Sequence, residues 1–109
     1  MLSIRIDREE IRRRAYFLSL QGIPYNTLVN ILVKLDFIFD GHPDLHFDAP
    51  GITIDIAKLR KETADYATGK WLMLRTSYYL SHCKFPPEIL HWLIAERQFV
   101  IDRLPPGSW

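Results

Sequence analysis

A strand that runs directly into a capped helix constrains this chain more than any other feature. Leu2, Ile4 and Ile6 alternate with Ser3, Arg5 and Asp7, and a period of two belongs to a strand with one apolar and one polar face. A strand cannot leave its backbone N–H and C=O groups unpaired. Residues 2–6 must therefore meet another strand of the chain or the same strand of a second copy. Inside the chain the other alternating segment is 51–56, where Ile52, Ile54 and Ile56 stand against Thr53 and Asp55.

Asp7 is placed to cap the helix that follows, and Glu10, three residues on, completes a capping-box pattern. Glu9 adds negative charge at the positive end of the helix dipole. This first helix is expected over about residues 8–21, with Ile11, Ala15 and Leu18 on one face, widened by Phe17, and Arg12, Arg13 and Arg14 covering much of the rest. Gly22 suits the position just past a helix end, and Pro24 suits the first turn of the next helix, where its missing N–H is not needed. Helix two, about residues 24–39, is apolar at Leu28, Val29, Ile31, Leu32, Val33, Leu35, Phe37, Ile38 and Phe39. Its polar stripe is only Asn26, Asn30 and Lys34, which predicts burial nearly all round, in the centre of a bundle or the core of a dimer.

Gly41, Pro43 and Pro50 break the pattern over residues 40–50 and predict a loop. After the second strand candidate, helices are expected over 58–68 and 70–82, the latter with Trp71, Leu74 and Tyr78 on one face and Leu72 and Tyr79 on its flank. Pro86 and Pro87 open the last helix, with Glu88 in its first turn and Ile89, Trp92, Leu93 and Val100 inward. The expected fold is α+β and mainly α, with about five helices and one or two short strands. It forms a single domain over 1–109, divided into a strand-helix-helix unit (1–39), a loop (40–50) and a strand with three helices (51–104).

The chain has 109 residues, of which 48% are hydrophobic and 25% charged, which is ordinary globular usage and argues against disorder. No run of about 18 apolar residues occurs and the first residues lack a basic end followed by an apolar core, so neither a membrane span nor a signal peptide is expected. The single cysteine, Cys83, leaves no intrachain disulfide to form and favours a cytoplasmic setting. Net charge is +1, unevenly spread. Residues 1–34 carry Arg5, Arg8, Arg12, Arg13, Arg14 and Lys34 against Asp7, Glu9 and Glu10, whereas 41–56 carry Asp44, Asp48 and Asp55 and no Lys or Arg.

The stretch LSIRID, followed by a helix and then LSLQGIPYNTLVNIL, resembles the ribbon-helix-helix DNA-binding unit of the Arc and MetJ type, and particularly its antitoxin branch. The likeness covers the first third of the chain, and its strongest string is Gly22 to Leu28. It implies a homodimer whose paired strands enter the major groove as a two-stranded ribbon. Ser3 and Arg5 would face base edges, Arg5 being able to donate a bidentate pair to guanine. Tyr25, Asn26 and Thr27 would offer a phosphate the free N–H groups of a helix start. Arg8, Arg12 and Arg13 would add salt-dependent attraction to the backbone. The implied function is a sequence-specific DNA-binding regulator of antitoxin or mobile-element type, with the C-terminal helices meeting a protein partner or effector.

The competing reading is a protein–protein interaction module, immunity-like or adaptor, that meets no nucleic acid. It is favoured by the apolar excess of helix two and by Trp71, Tyr78, Tyr79, Trp92 and Phe99, since Trp and Tyr anchor interfaces as well as cores. Asp40, His42, Asp44, His46 and Asp48 alternate and could share one side of an extended segment. Gly41 and Pro43 interrupt such extension, so a solvated loop is expected there, with no metal and no cofactor. Cys83 and His82 are helical neighbours pointing about 100° apart, which does not make a nucleophile and base. With no phosphate-binding glycine loop, Ser-His-Asp pattern or paired zinc-type cysteines, no enzymatic activity is expected.

Overall fold

The computed structural model describes residues 2–40, 45–47 and 68–103. Four helices build it: α1 (Arg8–Ser19), α2 (Tyr25–Asp40), α3 (Thr68–Tyr78) and α4 (Pro87–Asp102). A π-helical turn, Tyr79–Cys83, continues α3. Two three-residue extended segments, β1 (Leu2–Ile4) and β2 (Leu45–Phe47), lie side by side in parallel, with Leu2 opposite Leu45 and Ile4 opposite Phe47.

The α+β expectation is corrected: among the described residues the fold is built by helices alone. The buried core is supplied by helices and the π turn, and the β1–β2 contact is too short to form a layer on which anything packs. The reason is local. Asp7 caps a helix that begins at Arg8, so the alternating run ends at Ile4 and Ile6 turns inward to pack with α1 and α4. The expected strand at 51–56, the helix at 58–68 up to its last residue and most of the 40–50 loop lie outside the described residues; Thr68 itself opens α3, which runs on through Gly69 rather than starting after it.

The element buried on every side is α4, not α2. From Leu93 to Arg97 five consecutive residues are buried, which on a helix means cover all round. It packs against α1 and α2, and α2 also packs against α3. Leu90, Leu93 and Ile94 join Leu28, Val29, Leu32 and Val33 of α2, together with Trp71 and Tyr79, in one cluster. Ala95, Phe99 and Val100 join Ile11 of α1 in another. By contrast α2 keeps Asn26, Thr27, Asn30, Lys34 and Phe37 exposed, a wider outer face than its sequence suggests.

Charge runs through the middle of this core. Asp36 accepts from the Tyr79 hydroxyl on one oxygen and from Arg97 Nε at 2.7 Å on the other. All three side chains are buried. Burial opposes the Arg97 charge, yet Asp36 beside it outweighs that effect and holds its pKa above the ordinary arginine value. Burial and the Asp36 charge raise the Tyr79 phenol well above its usual pKa, so it remains a donor. Glu96, also buried, lies 3.7 Å from Arg97 Nη1. Its pKa is raised by burial, against the easing effect of the Arg97 charge. Trp92 Nε1 and Glu96 Oε2 themselves have no hydrogen-bond partner among the described residues. Arg75, also buried, lies over the Trp71 ring at 4.6 Å.

Tyr79 rather than Tyr78 reaches Asp36 because it follows Trp71 and Arg75 at four-residue spacing on the buried face of α3, so Tyr79 is buried and Tyr78 only partly. Lys84 closes the π turn in the left-handed region, φ 46°, with its N–H bonded to Tyr79 O at 3.0 Å.

Candidate nucleic-acid interface

The first helix begins where its sequence predicts. Asp7 is extended (φ −101°, ψ 100°), and its Oδ1 accepts from the Glu9 and Glu10 N–H groups at 3.1 and 3.2 Å. The reciprocal half of the capping box does not form. Glu10 instead turns outward along α1, accepting from Arg14 Nη2 at 3.0 Å and from Arg103 Nη2 at 2.9 Å. Those bonds hold the Glu10 carboxyl below its ordinary pKa, the Arg14 hydrogen bond being the largest cause. Arg14 also reaches Asp102 at 2.6 Å, which raises the arginine's pKa, so α1 is tied to the end of α4 at two points, Arg14–Asp102 and Glu10–Arg103.

The consequence for the basic face is a sorting of arginines. Arg14 is committed to α4, and Arg12 holds Glu9 at 2.7 Å on the surface. Arg5, Arg8 and Arg13 are exposed and make no ion pair among the described residues. Arg5 follows β1 directly, Arg8 opens α1 and Arg13 stands on its outer face. Ser3 lies in β1.

Gly22, at φ +63°, turns the chain between α1 and α2. A Cβ there would meet nothing within 4 Å, so the backbone angle and not crowding calls for glycine. Asn26 and Thr27 are exposed in the first turn of α2. Tyr25 is differently placed: its hydroxyl donates to Phe85 O at 2.6 Å, tying α2 to the chain before α4. The phenol is thus a brace, and only its neighbours face outward.

The outer face of α1 changes character along its length. Beyond Arg12 and Arg13 come Tyr16, Phe17 and Leu20, 61, 64 and 63% exposed, with the Tyr16 and Phe17 rings edge to face at 5.7 Å. Phe17 therefore does not widen the buried face formed by Ile11, Ala15 and Leu18. At this end of the molecule Phe99 of α4 is core, one of the two readings its sequence offers, whereas Arg103, just past α4, escaped the sequence reading: nothing local shows that it folds back over the Phe99 ring at 3.4 Å.

Elsewhere the chemistry is quiet. The Cys83 thiol is partly buried and its pKa is raised by burial and by the Asp36 charge, the opposite of activation. His82 stacks on Tyr78 at 5.1 Å. No group of three or more metal-capable side chains occurs among the described residues, and the 40–48 alternation lies largely outside them. Among the described residues no helix is long and apolar enough to cross a membrane. Comparison with family models, curated proteins and solved structures gives no match for this chain.

Proposed function

We propose that the protein is a cytoplasmic DNA-binding regulator, of antitoxin or mobile-element type, that acts as a homodimer through residues 2–40. The observation that carries this reading is the set of three exposed arginines without ion pairs, Arg5, Arg8 and Arg13, on a strand-helix-turn-helix unit. Free guanidinium groups just past a strand and along the adjoining helix suit a groove edge and its flanking phosphates. Asn26 and Thr27, exposed at the start of α2, add a place for a backbone phosphate.

The parallel β1–β2 contact departs from a ribbon made of two copies of β1. It uses one edge of β1, however, and in a two-stranded arrangement the other edge remains for a second copy. The exposed Tyr16, Phe17 and Leu20 supply apolar surface that a second copy would cover. The test is a mobility shift with the DNA upstream of its own coding region at two salt concentrations, comparing wild type with Arg5→Ala. Retardation that weakens with salt and with Arg5→Ala supports the reading; no retarded species at low salt removes it.

The same apolar face favours a second reading, an interaction module whose α1 meets a different protein. Sedimentation separates the two. A dimer that Phe17→Glu converts to monomer supports the first, and a monomeric wild type at micromolar concentration supports the second.

A further inference from the structure

The turn from Ile6 to Glu9 and the end of α4 border an open groove of about 420 Å³, which shares Arg5 and Arg8 with the DNA reading and adds Phe99 and Arg103 from the end of α4. Its lining includes Phe99 and three arginines, Arg5, Arg8 and Arg103. Two carboxylates also border it, and both are already engaged. Asp7 accepts the N–H groups of Glu9 and Glu10, and Glu9 holds Arg12. Arg5 and Arg8 have no ion pair among the described residues.

Arg103 differs from those two in being fixed. Its Nη2 bonds Glu10 at 2.9 Å, its Nη1 donates to Phe99 O at 3.3 Å, and its plane lies over the Phe99 ring. A guanidinium has five N–H donors in a rigid fork, so donors are left over after these bonds are made. One preorganised cation and two free ones around a concave space make a match for a multiply charged oxyanion. The volume falls in the range of small-molecule sites, which leaves room for an organic body beside the anion.

We infer that this groove binds a phosphate group carried on a body of about nucleotide size, held between Arg5, Arg8 and Arg103. The phosphate can belong to a free mononucleotide or to a nucleic-acid strand; the recognition chemistry is the same for both. The inference does not rest on the DNA reading, because α4 supplies part of the groove and a free nucleotide would fill it without any duplex.

The test uses the full chain, with adenosine monophosphate and inorganic phosphate as probes and amide chemical shifts as the readout. Saturable shifts at Ile6, Asp7, Arg8 and Arg103 are expected, with adenosine monophosphate binding more tightly than phosphate. Each of Arg5→Ala and Arg8→Ala should weaken binding by about tenfold, and the double variant by about a hundredfold. Arg13→Ala, whose side chain stands outside the groove, should leave it unchanged. Both groove arginines are exposed and without ion pairs, so these variants should fold as wild type does. Absence of shifts at those amides, or equal binding by the double variant, overturns the inference. A short duplex that displaces adenosine monophosphate identifies the strand as the phosphate source, and one that does not identifies the free nucleotide. Loss of the mobility shift with retained nucleotide binding removes the DNA reading and keeps this one.

Discussion

Two carboxylates in this molecule are held in nearly the same way and have opposite weight. Asp36 lies between Tyr79 and Arg97, and Glu10 lies between Arg14 and Arg103, with nitrogen–oxygen distances of 2.7 Å in the first case and 3.0 and 2.9 Å in the second. The Arg97 and Asp36 side chains are 4 and 7% exposed, whereas Arg14, Glu10 and Arg103 are 30, 28 and 39% exposed. Geometry alone would rank them equal. Burial ranks them, because water screens and replaces the outer bonds and cannot reach the inner ones. The inner set consequently locks α2, the π turn and α4 in one arrangement, and the outer set trims the fit of α1 on α4.

The sharpest way to break this contrast is Asp36→Ala. It leaves the Arg97 guanidinium buried without its carboxylate and should cost about 3–5 kcal/mol, read from urea unfolding; a loss under about 1 kcal/mol would show that the site is wet and equivalent to the outer one. Tyr79→Phe keeps the ring and removes one donor from Asp36, so about 1–2 kcal/mol is expected in the same assay. A variant as stable as wild type would mean that the hydroxyl adds nothing beyond packing.

Acidity provides a test with two signs. Glu96 has its pKa raised by burial above the ordinary 4.5, so the folded state holds its proton more tightly than the unfolded chain does. Its contribution is fully present below pH 4.5 and is lost as pH rises through the raised value. Glu10 is lowered from 4.5, so its contribution is present above that pH and is lost as pH falls through the lowered value. Unfolding midpoints measured from pH 3 to 8 should show Glu96→Gln flattening the decline above about 4.5 and Glu10→Gln flattening the loss at the acid end. Curves parallel to wild type would sink both assignments. Smallest of all, Arg14→Ala should cost under about 1 kcal/mol and less still in high salt; a larger, salt-independent loss would place the outer set on a par with the inner one.

Much of the first unit was legible because its signals are local. Asp7 as cap, the start of α1 at Arg8, the turn at Gly22 and the start of α2 just after Pro24 each depend on residues within one turn of one another. The arginines were legible as a basic face but not as a sorted one. That Arg14 is spent on Asp102 and Glu10 on Arg103 depends on α4 lying alongside, at a sequence separation no local pattern carries. Asp36 was harder still. It sits in a strongly apolar helix, outside the Asn26, Asn30 and Lys34 stripe, and only the arrival of Tyr79 and Arg97 makes it the centre of the core.

By itself the sequence determined where α1, α2 and α4 start, because caps, prolines and the Gly22 turn act through backbone groups a few residues away. It also determined that the chain would be mainly helical, since its longest periodic segments repeat at helical spacing. Tertiary structure decided which helix lies in the middle, which charges are buried and what β1 touches. Those outcomes depend on which surfaces exclude water from which others. The apolar pattern of α2 and α4 permitted either as the centre, and packing against α1 and α2 together settled it on α4.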